Sequence, residues 1–215
     1  MDIQKDTTVI IQQVYRGSEY AELLALTMSR HTMYCHAHGF EYQAFYSNIV
    51  NEWDKRFGGW AKLALIQSLL HAGYENIIWV DADAVIADLD ADLREGCPKQ
   101  GGIGMTINTQ PCDHYNVGML YVRNVPGVME FIDYWISWFP GPVNGWHEQA
   151  VINLLAEVPA YQDMIHGIDY KYNSCVAGGT HVENAVVEAF HGGGNAKERL
   201  QSMKDFLNIK EVEHA

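Results

Sequence analysis

Apolar residues follow two patterns along the chain. Short unbroken runs of β-branched and aromatic residues occur at Val9-Ile10-Ile11 and Ile77-Ile78-Trp79-Val80. Such runs predict strands buried on both faces, as in the middle of a parallel sheet. Helical stripes lie between them. Leu23, Leu24, Leu26, Met28 and Met33 mark a helix from Glu19 to His38, with Ser18 as its cap and Gly39 as its stop. Leu63, Ile66 and Leu70, widened by Ala64 and Leu69, mark a second over residues 60–72, ended by Gly73. Residues 40–46 alternate aromatic and polar positions and read as a strand between the two helices. The first 86 residues therefore predict two successive β-α-β units and, by default, parallel order.

The second half is less regular. Residues 103–107 and 116–124 predict strands, the latter with Gly118 inside it, where a bulge or a ligand near the backbone is expected. Met129, Ile132, Trp135 and Ile136 form one stripe over residues 125–139. Another helix opens at Gly145-Trp146-His147-Glu148-Gln149 and carries Val151, Leu154 and Leu155 up to Pro159. A weak strand with Asn173 at its end, a short strand over 186–190 and a terminal helix over 197–207 complete the pattern. Alternating strands and helices give an α/β class with a mostly parallel sheet.

Composition narrows the function. A length of 215 residues fits one domain, 1–215, and 48% hydrophobic content is that of a globular chain. With 14 basic and 27 acidic residues the net charge is −13, which argues against nucleic acid and anionic membrane as partners. Cys35, Cys97, Cys112 and Cys175 show neither zinc nor disulfide spacing and read as independent reduced thiols. Residues 1–8 are polar and no apolar run is long enough to span a bilayer, so the expectation is a soluble cytoplasmic protein. The glycine-rich dinucleotide fingerprint, the P-loop and the nucleophile elbow are all missing.

Candidate chemistry sits at strand ends. Asp81 and Asp83, spaced i, i+2 on extended backbone, share a side at the tip of the 77–80 run. Strand tips are where α/β sheets bind ligands, and hard divalent cations with the phosphates they bridge need paired carboxylates. A solvated acidic loop is the plain alternative. His191 follows a strand and precedes Gly192-Gly193-Gly194, a loop that lets backbone N–H groups approach an anion, with Lys197 close behind. Its imidazole suits Mn2+ as a ligand, although a lone histidine is more often structural. Glu148 and Gln149 open a helix, where an acid complements the dipole or binds sugar hydroxyls. Asn116 either finishes a turn or contacts a polar ligand packed against Gly118. Lys62, the one charge between Trp60 and Leu70, either snorkels to water or aims at a phosphate.

In order, these pieces resemble a GT-A glycosyltransferase, specifically the family of fungal α-galactosyltransferases and plant xyloglucan α-xylosyltransferases. The resemblance rests on Trp60-x-Lys62, on Ile77 to Ala84 with its D-x-D, and on Asn116-x-Gly118 with Arg123-Asn124. Glu148-Gln149 and Phe190-His191-x-Gly193 complete it, so it spans residues 60–197. It implies a single-domain, Rossmann-like GT-A fold with helices on both faces of the sheet. It also implies a nucleotide-diphosphate sugar donor, a hydroxyl-bearing acceptor, Mn2+ or Mg2+, and transfer of a hexose or pentose with retention. The metal ligands would be Asp81, Asp83 and His191, and the donor-contacting lysines Lys62 and Lys197. Asn116, Glu148 and Gln149 would face the sugar and the acceptor. Gln12, Val14 and Tyr15 would meet the base, with Asp81 and Gly193 also on the donor. Family members in eukaryotes carry a membrane anchor and stem that this sequence does not show, which points to a soluble bacterial or viral enzyme.

Three other readings compete. A metal-dependent nucleotidyltransferase would want a basic glycine-rich loop after the first strand, of which Tyr15-Arg16-Gly17-Ser18 is a poor version. A non-catalytic nucleotide-sugar or glycan-binding module would not need the acids and His191 together. An enzyme that glycosylates modified DNA bases is opposed by the charge of −13.

Overall fold

The computed structural model describes residues 7–15, 19–47, 56–139, 147–192 and 194–209. Strand β1 (Thr8–Tyr15), helix α1 (Ala21–His38) and strand β2 (Glu41–Ser47) form the first β-α-β unit. Helix α2 (Arg56–His71) leads into β3 (Asn76–Val80), and β1 pairs in parallel with both β2 and β3. Val9 and Ile11 enter one core cluster and Ile10 another, as expected for a central strand covered on both faces.

The remaining strands depart from simple winding. Residues 76–86 divide into β3 and a separate β4 (Ala84–Ile86), which pairs antiparallel with β8 (Val187–Ala189). Strands β5 (Ile103–Asn108) and β6 (His114–Arg123) follow, then helices α3 (Val128–Ser137) and α4 (His147–Ala156) and strand β7 (Ile165–Gly167). The main sheet has the order β2-β1-β3-β6-β5-β7. Strand β6 runs antiparallel to both β3 and β5, whereas β7 is parallel to β5. The expected α/β class with a mostly parallel sheet holds, with β6 as the reversed strand. Helix α5 (Ala196–Phe206) starts at a capping box between Asn195 and Glu198.

Helices cover both faces. Leu63, Ile66 and Leu70 of α2 pack with Phe131, Ile132 and Trp135 of α3 and Val151, Ile152 and Leu155 of α4 against one face. Tyr34 and Cys35 of α1 pack with Ile78 and Val80 against the other, and Leu23 and Leu24 meet Met203 of α5 beside it.

Three boundaries differ from expectation. Helix α1 starts at Ala21, with Tyr20 at the cap position and no side-chain cap; Ser18, expected there, lies outside the described residues. Helix α2 begins at Arg56, so Gly58 and Gly59 lie inside a helix rather than in a loop. Helix α3 is shorter than its stripe and begins after Gly127, whose φ of 86° is not helical. Gly39 stops α1 as expected, in the left-handed conformation, with its N–H bonded to Cys35 O. Among the described residues no helix is long and apolar enough to cross a membrane.

Candidate active site

The parallel strands end in a polar cavity beside β3. Asp81 follows β3 directly, Asn116 and Gly118 lie on β6, Gln149 on α4, and His191 just after β8; all of them line this one cavity. The pairing of β4 with β8 brings the end of the chain here. Phe190 N–H donates to Asp83 O at 2.9 Å, which sets His191 beside the acid pair. Gly192, with φ of 77°, also lines the cavity, whereas Gly193 lies outside the described residues.

Asp81 is held from three directions. Trp79 Nε1–H donates to its Oδ1 at 2.6 Å, and Lys62 Nζ lies 3.3 Å from the same oxygen. Beneath it, Gln12 Nε2 donates to the Asp81 carbonyl at 3.2 Å. Gln12 is fully buried, and its Oε1 accepts from Tyr42 Oη at 2.7 Å and from His31 Nδ1 at 2.8 Å. Ile86 N–H donates to His31 Nε2 at 3.1 Å, which assigns the proton to Nδ1. Burial, reinforced by the Arg30 charge, lowers the His31 pKa to about 3, so the ring is neutral. A network spanning β1, β2 and α1 therefore fixes both ends of the segment from Asp81 to Ile86.

Lys62 does not snorkel to water. Its ammonium is buried, 3.3 Å from Glu148 Oε1 and 3.0 Å from Val117 O, and sits over the Trp79 ring. Burial opposes its charge, but the Asp81 and Glu148 carboxylates outweigh burial and hold its pKa above the usual value. Glu148 packs against Gly59, where a Cβ would stand 1.7 Å from Glu148 Oε2. Of the Glu148-Gln149 pair, Gln149 reaches the cavity, and it also accepts the Val117 N–H at 3.2 Å.

Asn116 is oriented by residues that the sequence reading left out. Its Oδ1 accepts from Gly118 N–H at 2.8 Å and from Asn173 Nδ2 at 3.0 Å, and Asn173 also donates to Thr106 Oγ1. The Asn116 amide N–H therefore faces His191 Nε2, 3.1 Å away, with Asn108 Nδ2 at 3.3 Å. Burial lowers the His191 pKa against the raising pull of Asp83 and Asp81, so the imidazole is neutral with a lone pair on Nε2. The sequence marks Asn173 only as a strand end and singles out neither Asn108 nor Thr106. Their polarity inside an apolar strand pattern was the available signal.

Asp83 lies beside the cavity and is buried. Its Oδ2 accepts a 2.6 Å bond from Arg199 Nη1 of α5. Burial raises its pKa, as does the Asp81 carboxylate, against the lowering effect of Arg199 and His191. Among the described residues no three His, Cys, Asp or Glu side chains converge in an arrangement that could hold a metal ion. The donor chemistry nonetheless fits one: two carboxylates and a neutral imidazole are ligands that Mn2+ accepts.

The other expected donor contacts fall elsewhere. Val14 is a core residue packed with Leu23, Leu24 and Ala82. Tyr15 ends β1 opposite Ser47, and its side chain lies outside the described residues. Lys197 is exposed and lines a separate recess between α1 and α5 with Glu19 and Glu22. On α5 the cation that reaches Asp83 is Arg199 instead.

The resemblance read from the motifs is borne out by comparison with known proteins. Residues 5–101 match the galactosyl transferase GMA12/MNN10 family. Probable xyloglucan 6-xylosyltransferase 1 of Oryza sativa subsp. indica is 29% identical over 138 residues, 60% of this chain and 30% of that protein. Galactomannan galactosyltransferase 1 of Cyamopsis tetragonoloba is 29% identical over 115 residues, 50% of this chain and 26% of that one. The chain thus spans less than a third of these curated relatives. A crystal structure of a glycosyltransferase involved in glycosylation of the major capsid of PBCV-1 superposes with a TM-score of 0.74. The match covers 93% of this chain and 99% of that one at 16% identity, and it shows a shared GT-A fold.

Proposed function

We propose that this relative of the GMA12/MNN10 glycosyltransferases moves a hexose or pentose from a nucleotide-diphosphate sugar to a hydroxyl acceptor, with retention, within one GT-A domain. The observation that carries the reading is the convergence of Asp81, Asn116, Gln149 and His191 on one cavity at the end of the parallel strands. A divalent metal, Mn2+ or Mg2+, would be held by Asp81, Asp83 and His191. When bound it would neutralise the charge developing on the leaving diphosphate.

The chain's own groups supply the rest. Gly192 lines the cavity next to His191, where the diphosphate would lie. The amide groups of Asn116 and Gln149 face the cavity and offer hydrogen bonds to sugar hydroxyls. In the proposed step the bond between the anomeric carbon and the phosphate oxygen breaks, and its electron pair leaves with the diphosphate. The acceptor oxygen bonds the anomeric carbon on the same face, and its proton passes to the departing phosphate oxygen. Glu148 is buried between Lys62 and Gly59, and Gln149 occupies the cavity wall, so no free carboxylate from α4 stands ready as a covalent nucleophile. That supports front-face retention over a two-step covalent route, with Glu148 positioning Lys62 and Asp81. Calorimetric titration of UDP- and GDP-sugars with and without Mn2+ tests the reading. Metal-dependent binding of at least one donor is expected, and binding of none would overturn it.

A further inference from the structure

Asp83 and Arg199 meet in a way that the transfer chemistry does not use. Asp83 is buried beside the partly exposed Asp81, and a carboxylate held away from water next to a second one needs a countercharge. Arg199 provides it through the 2.6 Å bond from Nη1 to Asp83 Oδ2. The guanidinium is anchored independently of Asp83. Its Nε donates to Gly194 O at 3.1 Å, and its Cζ lies 5.9 Å from the centroid of the Tyr20 ring. Arg199 can therefore keep its place on α5 if Asp83 turns away.

We propose that Arg199 is a counter-ion latch on Asp83, which a divalent cation must displace to recruit that carboxylate. The proposal rests on the reading of Asp81, Asp83 and His191 as metal ligands. Those groups do not converge on a metal-holding arrangement: Asp83 must give up its contact with Arg199, and His191 Nε2 its contact with the Asn116 amide. A fixed positive charge at this distance also repels an incoming cation. The opposite role is conceivable for an outer partner: one that only orients its ligand strengthens metal binding, and its loss weakens it. The two roles differ in the sign of their effect on affinity, so one measurement separates them.

The test is calorimetric titration of Mn2+ alone into wild type, Arg199→Met, Arg199→Gln, Arg199→Lys and Asp83→Asn, with thermal unfolding of each with and without Mn2+. Arg199→Gln keeps a hydrogen-bonding head and removes the charge. Releasing a charge-assisted bond is expected to tighten Mn2+ binding in the two neutral variants by about tenfold or more. Arg199→Lys should stay close to wild type and Asp83→Asn should bind much more weakly. Without Mn2+ the neutral variants should melt lower than wild type, and added Mn2+ should raise their midpoint by more. Equal or weaker Mn2+ binding in a folded neutral variant overturns the latch alone. Failure of wild type to bind Mn2+ overturns both the latch and the metal reading beneath it.

Discussion

Lys62 Nζ lies 3.3 Å from Glu148 Oε1, and this buried pair joins α2 to α4 directly behind the acid that ends β3. The same ammonium stands 3.3 Å from Asp81 Oδ1, so one cation serves two carboxylates. Replacing Lys62 by Met leaves Glu148 buried without its charge partner, and an uncompensated buried charge costs about 3 kcal/mol. Urea unfolding of Lys62→Met should show that loss. Lys62→Met/Glu148→Gln should recover part of it, because the charge left behind is then gone.

Gly59 makes a prediction that opposes helix propensity. In an ordinary helix interior, Gly→Ala stabilises by about 1 kcal/mol. Here a Cβ would overlap the Glu148 carboxylate at 1.7 Å, and moving that carboxylate breaks its pair with Lys62. Gly59→Ala should therefore destabilise by about 2 kcal/mol, in the range of overpacked cores. The cost should largely vanish in the Glu148→Ala background. Thermal or urea unfolding of the four proteins in this cycle gives the coupling.

Much of this arrangement was legible in the sequence, and what was not has identifiable causes. Unbroken apolar runs located β1 and β3, and the carboxylates after β3 pointed to the cavity because strand ends face it. The start of α2 was missed because Gly58 and Gly59 read as breakers; Gly59 is there for the Glu148 side chain, a contact from a distant helix. The reversal of β6 was also hidden, since alternation of residues does not encode strand direction. Lys62 reads from the sequence as snorkelling or phosphate-directed, and Arg199 carries no motif that singles it out, for a shared reason. A charge in a helix pattern looks solvated or ligand-directed, and only tertiary packing reveals that a buried carboxylate already holds it. Trp79 was read as core alone, although its indole N–H carries the shortest bond to Asp81 among those that hold its side chain.

The buried His31 sets a pH dependence. Its folded pKa is about 3, whereas an unfolded histidine titrates near 6.5. Between these values the unfolded chain binds the extra proton, so stability falls as pH drops below 6.5 and the loss is complete below pH 3. The slope from this one group is about 1.4 kcal/mol per pH unit. Urea unfolding at pH 7 and pH 5 should differ by about 2 kcal/mol more in wild type than in His31→Gln, whose neutral side chain does not titrate.

Asn173 should act through Asn116. It shares no ion pair, yet its amide fixes which way the Asn116 head points, and that head faces both the cavity and His191. Asn173→Ala leaves the Asn116 oxygen held by the Gly118 N–H alone and should lower turnover by about tenfold or more, in line with mispositioning near the reacting centre. The affected bonds are buried, so a stability loss of about 1–3 kcal/mol accompanies it. Steady-state kinetics at a temperature well below the variant's unfolding midpoint separate the two effects.

The most direct measurement is nucleoside diphosphate release from a panel of UDP- and GDP-sugars with Mn2+, by wild type, Asp81→Asn and Gln149→Ala. Wild type should release the diphosphate from at least one donor, and both variants, altered at residues lining the cavity, should fall by about a hundredfold or more. No release from any donor, or an undiminished rate in Asp81→Asn, would contradict the assignment of this cavity to glycosyl transfer.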